Sequence, residues 1–310
     1  MHRVYFILGC TASGKGAVGR VLARRMGAEI VSVDSMKIYR RMDIGTAKPS
    51  REVRASIPHH CLDLVEPSES FSVARYVQAA DRAIAAIRDA GRLPLCVGGT
   101  SLYIKAMTEG LFEGPSGDDA LRVALRERAA REGLARLHED LARIDPEAAA
   151  RIHPNDERRV IRALEVHHAT GMPISRLQQQ WDAPPGGTPT RRECVLIGLR
   201  RDKEELNRRI NLRVKKMIEA GLVDEARQLF DTGRLSRQAA AAVGYAELFD
   251  HFQGRCSLDD AIEQIKINTR KLAKKQRTWQ RRWTVQWFDC SEHDTPEDLA
   301  DRIMTTVEFR

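Results

Sequence analysis

The chain has 310 residues, of which 42% are hydrophobic and 30% are charged; this composition is typical of a globular protein that buries one large core or a core and a smaller one. No apolar run approaches the roughly 18 residues of a membrane-spanning helix, and Met1 is followed directly by a predicted strand, so we expect no signal peptide, no membrane partner and a cytoplasmic location. The six scattered cysteines lack zinc or disulfide spacing, and the net charge of +8 suits a polyanionic partner.

The first predicted strand, Val4–Leu8, is joined to a predicted helix by a glycine-rich loop. Such a loop aims backbone N–H groups and a helix N-terminus at an anion, and its lysine adds a mobile positive charge. We therefore predict that this phosphate loop, an ATP-binding type of motif, holds a diphosphate. Its residues are Gly9, Cys10, Thr11, Ala12, Ser13, Gly14, Lys15 and Gly16.

Position 16 departs from the usual pattern. Phosphate loops of this type end in Gly-Lys-Ser or Gly-Lys-Thr, whose hydroxyl ligates magnesium, whereas this chain has Gly16. We therefore predict no direct side-chain metal ligand here, although magnesium can be held largely by water molecules and substrate phosphates.

Further strand-like runs alternate with helical patterns, which predicts an α/β fold with a parallel sheet and flanking helices. Asp34 follows the second strand, and Gly98, Gly99 and Thr100 follow the third. Ligands of such sheets bind beyond the carboxyl ends of the strands, so we expect these residues and the phosphate loop to converge on one crevice. After the first strand, the predicted strands are residues 29–33, 93–97, 194–199 and 285–288.

An all-helical insertion domain is predicted between two segments rich in proline and glycine, residues 114–117 and 184–189. On this basis residues 115–191 form the insertion, and residues 1–114 with 192–310 form the catalytic core.

Arginines cluster at one helix start within the insertion. Asp156 predicts that start, and Arg158, Arg159 and Arg162 fall in the first turns. Positive charge does not complement a helix N-terminus, which favours a binding role for these side chains.

Two helices after the insertion carry basic residues. In the first, which begins near Asp202, Arg209 and Arg213 lie one turn apart, and either could clamp a diphosphate bidentately. In the second, residues 264–288 contain no acidic residue, which favours contact with nucleic-acid phosphates. The basic residues of this second helix that share one face include Arg270, Lys274 and Arg277.

Together with further blocks, these features resemble the tRNA dimethylallyltransferase family from Val4 to about Trp287. The resemblance implies a P-loop NTPase or kinase-like core and an enzyme that transfers a dimethylallyl group from dimethylallyl diphosphate to N6 of adenosine 37 in tRNA. Diphosphate is released, and magnesium is the implied cofactor. The matching blocks are residues 9–15, 33–35 with 39, 42–49, 97–100 with 102–103, 149–156, 162–166, 243–245, 269–276 and 278–279.

The resemblance also implies catalytic roles. Asp34 is the implied base that takes a proton from the adenine amine, while Thr11, Lys15 and one of Arg209 and Arg213 stabilise the departing diphosphate. The sequence leaves open which of these two arginines does so.

The implied partner is the anticodon stem-loop of tRNA, with the target base flipped into the enzyme, and the family default is a monomer. Family members often carry glutamine where this chain has Lys37, and a lysine cannot make the paired contacts of an amide. The implied tRNA-binding residues are Asp34, Ser35, Met36, Lys37, Thr100, Arg122, Arg158, Arg159, Val160, Ile161 and Arg162, besides Arg270, Lys274 and Arg277 of the basic helix.

Three alternatives remain open. An adenylate isopentenyltransferase shares the phosphate loop but modifies free nucleotides, and it would have little use for the insertion or the basic helix. A small-molecule P-loop kinase would consume ATP. Because of Gly16, a degenerate homologue that binds tRNA without efficient turnover also stands.

Overall fold

The computed structural model describes residues 3–110, 114–115, 118–178 and 193–309. The chain divides into two compact units, Met1–Thr108 with Arg192–Arg310, and Glu109–Arg191. The predicted insertion, residues 115–191, lies within the second unit. The segment 184–189, predicted as one of its borders, lies outside the described residues, as do Ser116 and Gly117 of the other border.

The first unit is built on one six-stranded sheet in which every pairing is parallel. The strand order is β3-β2-β4-β1-β5-β6, so β1 lies in the middle of the sheet. This confirms the predicted α/β class. The strands are β1 Val4–Leu8, β2 Glu29–Val33, β3 His59–His60, β4 Pro94–Gly98, β5 Cys194–Arg201 and β6 Gln286–Cys290.

The predicted strands differ from the observed ones mainly at the ends. β4 begins and ends one residue later than predicted, and β6 extends beyond the predicted residues 285–288. β3 was not predicted, because two residues are too few for a periodic pattern; its His60 hydrogen-bonds the carboxylate of Glu29 on the neighbouring strand.

Helices cover the sheet in the first unit and make up the regular structure described in the second. Many begin with a side-chain cap, such as Asp202 for α10, which accepts two backbone N–H groups. Before the insertion they are α1 Lys15–Met26, α2 Arg51–Ser56, α3 Val73–Asp89 and α4 Ser101–Thr108; in the second unit α5 Asp119–Glu132, α6 Leu134–Ile144, α7 Pro146–Arg151, α8 Glu157–Thr170 and α9 Ile174–Gln178; and after it α10 Lys203–Glu219, α11 Leu222–Asp231, α12 Arg237–Ala240, α13 Ala246–Phe252, α14 Leu258–Gln280 and α15 Pro296–Thr306.

The main core joins one face of the sheet to α1 and α15. Leu22 of α1 and Ile303 of α15 are fully buried against Ile7 of β1. Gly19 lets α1 approach closely, since a Cβ there would lie 2.8 Å from a methyl group of Val97. This packing fixes the start of α1, where the phosphate loop ends.

The second unit has its own apolar core, in which α6 and α8 contribute fully buried side chains such as Leu137 and Val166. Among the residues the structure describes in either unit, no helix combines the length and the apolar character needed to cross a membrane.

Candidate active site

The phosphate loop turns sharply between β1 and α1. Ala12 and Gly14 adopt positive φ angles of 61° and 98°, and glycine is the residue that accepts this conformation without strain. A Cβ at Gly9 would lie 2.5 Å from Ser13 Oγ, so the loop closes only without a side chain there. The loop places the first N–H groups of α1, which have no partner within the helix, at the end of β1.

Three side chains from other parts of the chain hold the loop in this shape. Gln276 of α14 accepts the N–H of Thr11 at 2.8 Å and donates to the carbonyl of Gly99 at 2.9 Å. Arg201 Nε donates to the carbonyl of Ser13 at 2.9 Å, and Arg209 Nε donates to that of Ala12 at 3.0 Å. Sequence reasoning missed Gln276 and Arg201 as site residues; only the presence of Gln276 in a resemblance block hinted at its role.

Lys15 adds a partly buried ammonium to the loop. Its Nζ donates to the carbonyl of Cys10 at 3.1 Å. Burial lowers the pKa of Lys15 to about 8, and the nearby cations Arg213 and Lys37 contribute in the same direction. The loop therefore carries a cation whose surroundings are already positive, a setting that suits an anionic ligand.

Asp34 stands beyond the end of β2 in a fixed orientation. Its Oδ1 accepts the N–H groups of Met36 at 2.9 Å and of Lys37 at 3.3 Å. The next residue is also held, because the N–H of Ser35 donates to Thr100 Oγ1 at 3.0 Å. The predicted convergence of the strand ends on one crevice is thus observed.

The two arginines of α10, Arg209 and Arg213, have different surroundings. Arg209 is tied to the loop carbonyl of Ala12, whereas Arg213 is close enough to Asp34 and Lys15 to influence them electrostatically. Burial lowers the pKa of Arg213, and the Asp34 carboxylate opposes that shift. Arg209 also lies at the loop, since its Nη2 is 3.8 Å from a Cβ built on Gly14. Both arginines therefore stay candidates for contact with a diphosphate, and Arg209 in addition supports the loop backbone.

Six cations around this crevice have no ion-pair partner within 4.0 Å among the described residues: Lys15, Arg20, Lys37, Arg209, Arg213 and Arg277. Ser13 Oγ is also buried and makes no hydrogen bond to any described residue. Partly buried charges and buried hydroxyls without partners are unfavourable, so the crevice is arranged to receive an anion.

Without a bound diphosphate, the residues of the crevice do not fit a magnesium ion, because several cations without ion-pair partners surround one carboxylate and would repel a divalent cation. Gly16 offers no side-chain oxygen, and Asp34 is the carboxylate that faces the loop cations. Among the residues that the structure describes, no group of three histidine, cysteine, aspartate or glutamate side chains could share a metal ion. We therefore derive no chemical step through a protein-bound metal.

In the second unit, several predicted tRNA contacts have structural partners instead. Arg122 and Arg162 both pair with the fully buried Glu165, at 2.9 and 2.7 Å. The prediction for Val160 and Ile161 is corrected, because their side chains lie in the apolar core on the inner face of α8. Their neighbours Arg158 and Arg159 are exposed.

In the basic helix, α14, some of the predicted tRNA contacts are also partly buried, and others are exposed. Arg270 is partly buried, and its guanidinium donates to Asn211 of α10 at 2.6 Å, so it packs the helix rather than facing solvent. Lys274 is exposed, and Arg277 is partly buried near the Cys10 end of the phosphate loop. Of the three predicted tRNA contacts on this helix, Lys274 is the one that is freely accessible.

A carboxylate that the sequence analysis did not single out, Glu225, connects two segments that carry the resemblance, residues 42–49 and 243–245. Glu225 accepts the N–H groups of Asp43, Ile44 and Gly45 at 2.9 to 3.1 Å, and the hydroxyl of Tyr245 at 2.6 Å. A Cβ at Gly45 would lie 2.5 Å from the Tyr245 ring. The segments 42–49 and 243–245 therefore support each other in this structure.

Comparison with known proteins gives a consistent result. The family model described as IPP transferase matches residues 37–283, which is most of the chain. A model described as isopentenyl transferase matches residues 2–62, the part that contains the phosphate loop.

Individual relatives match over nearly their whole length. A tRNA dimethylallyltransferase of Geobacillus thermodenitrificans is 48% identical over 97% of this chain and 94% of its own, and one of Geobacter metallireducens is 47% identical over 90% of both. The crystal structure of a tRNA isopentenylpyrophosphate transferase from Bacillus halodurans is 40% identical, with a TM-score of 0.70 over 98% of this chain and 96% of that one. A eukaryotic dimethylallyltransferase acting on tRNA is 25% identical, with a TM-score of 0.78 over 99% of this chain and 77% of that one.

Proposed function

This chain belongs to the IPP transferase family and is an enzyme that prenylates tRNA; we propose that it transfers the dimethylallyl group of dimethylallyl diphosphate to N6 of adenosine 37, beside the anticodon. The observation that carries this proposal is the crevice at the strand ends. There Lys15, Lys37 and Arg213, without ion-pair partners among the described residues, surround the single carboxylate of Asp34.

The diphosphate would bind at the phosphate loop. The first N–H groups of α1 and the ammonium of Lys15 lie at the loop that follows β1, and Arg213 of α10 is close enough to Lys15 to interact with it electrostatically. Negative charge grows on the diphosphate as the bond from the prenyl carbon to oxygen breaks. Donors already placed at that oxygen stabilise this transition state without reorganising.

Asp34 would act on the acceptor. The adenine amine is a weak nucleophile, and a base that accepts its proton while the new N–C bond forms lowers the barrier. Two backbone bonds hold Oδ1 of Asp34, whereas Oδ2 makes no hydrogen bond to a described residue. The balance of the step is one N–C bond formed, one C–O bond broken, and the N6 proton received by Asp34.

For the RNA we propose contact with the anticodon stem-loop. The exposed Arg158 and Arg159 and the exposed Lys274 support contacts with phosphates, and a target base must leave its stack to reach a crevice of this kind. The partly buried Lys37 is placed for a base acceptor or a phosphate near Asp34.

We further propose that the enzyme works as a monomer in a reducing, cytoplasmic setting. Its six cysteines are free thiols in the structure, which is in keeping with a reducing compartment.

The test is to incubate the purified protein with unmodified tRNA, dimethylallyl diphosphate and a magnesium series, and to analyse the nucleosides by mass spectrometry. Isopentenyladenosine at position 37 is expected, and Asp34→Asn protein serves as the matched control. Bound tRNA without product at any magnesium concentration would contradict the proposal and leave the degenerate tRNA-binding homologue. Product on free adenine nucleotides but not on tRNA would instead favour an adenylate isopentenyltransferase.

A further inference from the structure

We propose that Lys37 and Arg20 supply at the diphosphate the positive charge that a loop-bound magnesium ion would bring, so that this enzyme binds and cleaves its prenyl diphosphate with little dependence on magnesium. This inference rests on the proposed function and concerns the same crevice. It follows from what surrounds the glycine at position 16.

A cation lies beside position 16, where phosphate loops usually carry a metal-binding hydroxyl. Gly16 is the second residue of α1, and a Cβ built on it would have one neighbour within 4 Å, Arg20 Nη1 at 3.6 Å. Arg20 lies one turn further along the same helix and is partly buried. No carboxylate among the described residues pairs with it. A guanidinium at this point repels a divalent cation and attracts a phosphate.

Lys37 brings a second cation to the same place. Its N–H donates to Asp34 Oδ1 at 3.3 Å, and its carbonyl accepts the N–H of Asp63 at 3.2 Å, so its backbone is fixed. Its ammonium is close enough to Asp34, Arg213 and Arg20 to interact with them electrostatically. Lys37 therefore adds a second cation near both the Arg20 guanidinium and the Asp34 carboxylate.

The charges of the crevice are consistent with two side-chain cations in place of one magnesium ion. Lys37 and Arg20 together carry the same charge as one magnesium ion, and Lys15 and Arg213 add the cations expected of a phosphate site. Burial lowers the pKa of Lys37 and of Arg20, so both charges are held at a cost that a bound anion would offset. In this crevice, the glycine at position 16 supplies no metal-binding hydroxyl, and Lys37 and Arg20 supply positive charge nearby.

The test compares wild type with Lys37→Gln, Arg20→Gln, and a triple variant, Gly16→Ser with Arg20→Gln and Lys37→Gln. The structure has room for the serine, because 3.6 Å is an ordinary contact distance. The prenylation rate is measured in excess EDTA and across a magnesium series, and the affinity for inorganic diphosphate is measured by calorimetry in EDTA. Arg24→Gln, which removes an exposed cation from the same helix, is the matched control.

Wild type and Arg24→Gln are expected to keep their rate in EDTA to within about tenfold. Lys37→Gln and Arg20→Gln should each lose about tenfold or more in magnesium-free diphosphate affinity, and the triple variant should become strongly magnesium-dependent. A wild type that is inactive in EDTA, or that binds diphosphate in EDTA as weakly as Lys37→Gln does, overturns the inference. If no variant prenylates tRNA at any magnesium concentration, the proposed function fails, while the calorimetry still decides whether Lys37 and Arg20 hold the diphosphate.

Discussion

The strand-end crevice and the helical unit both contain basic residues that were predicted to meet a polyanion, but the two regions treat them differently. In the crevice, Lys15 and Arg213 have no ion-pair partner among the described residues. In the helical unit, Arg122 and Arg162 share one carboxylate, the buried Glu165, as an ion-pair partner. An unpaired, partly buried cation is unfavourable unless a ligand completes it. The unpaired, partly buried charges of the crevice therefore indicate a binding site, whereas the pairing of Arg122 and Arg162 with a buried carboxylate indicates a structural role.

The strongest test of the crevice is Asp34→Asn. The amide oxygen of asparagine can still accept the N–H groups of Met36 and Lys37, so the substitution removes the charge and the base while keeping the turn. We expect turnover to fall by about 10²- to 10⁴-fold, with diphosphate affinity unchanged or higher because a negative charge has left a positive site. Single-turnover kinetics and calorimetry measure the two effects. A near-normal rate would remove Asp34 from the mechanism.

The two arginines of α10 allow the comparison to be made within one helix. Arg213→Gln should weaken diphosphate binding by about tenfold to hundredfold, as expected for the loss of hydrogen bonds to a charged group, with little change in the melting temperature. Arg209→Gln should lower the melting temperature and have the smaller effect on diphosphate affinity, because its bond is to the loop carbonyl of Ala12. Calorimetry measures the diphosphate affinity of both variants, and thermal unfolding measures their stability. A larger loss of affinity in Arg209→Gln than in Arg213→Gln would exchange the roles of the two arginines.

The pH dependence of diphosphate binding tests whether Lys15 is held in the manner described. Because its pKa is lowered to about 8, the free enzyme loses this positive charge as the pH rises through about 8. Affinity for inorganic diphosphate should therefore fall by up to about tenfold between pH 7 and pH 9.5 relative to Lys15→Arg, which stays charged. Equal pH profiles for the two proteins would show that Lys15 does not titrate there.

The same group affects stability in the opposite sense. An unfolded chain would hold the Lys15 proton up to its ordinary pKa of 10.5, whereas the folded chain releases it near 8. The unfolded state thus binds more protons between these values, so this group makes the free energy of unfolding rise with pH across that window. Denaturant titrations of wild type and Lys15→Met between pH 8 and pH 10.5 would show the difference.

The smallest effects are expected in the helical unit. Replacing the exposed Arg158 and Arg159 together with glutamine should weaken tRNA binding severalfold and reduce the slope of log affinity against log salt by about 1 to 2. Arg122→Gln should instead destabilise the protein, because it leaves a buried Glu165 with one partner fewer. Salt-dependent binding assays and thermal unfolding distinguish the two. A salt slope reduced by Arg122→Gln but not by the double variant would reverse the comparison.

Much of the fold and part of the site were predictable from the sequence. The strand–loop–helix that contains Lys15 and the carboxylate after β2 follow from local patterns, which is why β1, β2 and the phosphate loop were placed correctly. The arrangement of partners was not predictable. Gln276 is 265 residues from Thr11, whose N–H it accepts, and no local period reports such a contact.

In the second unit, too, long-range contacts decide which predicted residues are available for binding. Arginines near a helix start suggest a binding site. The fully buried Glu165 cannot be recognised as the partner of Arg122 and Arg162 until the helices α5 and α8 are packed together. Val160 and Ile161 were included with the arginines around them, although the period of α8 turns their side chains to the apolar core. The position of each residue in the helical period determines whether its side chain is exposed. Membership in a continuous stretch of predicted contacts does not.

The central position of β1 has a consequence for how the protein is made. β1 pairs with β4 on one side and with β5 on the other, and β5 begins at Cys194, beyond the whole helical unit. In a chain synthesised from its N-terminus, one edge of β1 stays uncovered until roughly two thirds of the protein has emerged from the ribosome. An uncovered parallel strand rich in apolar residues is prone to aggregation. Truncations that end within the helical unit should therefore leave the phosphate loop without a stable sheet beneath it.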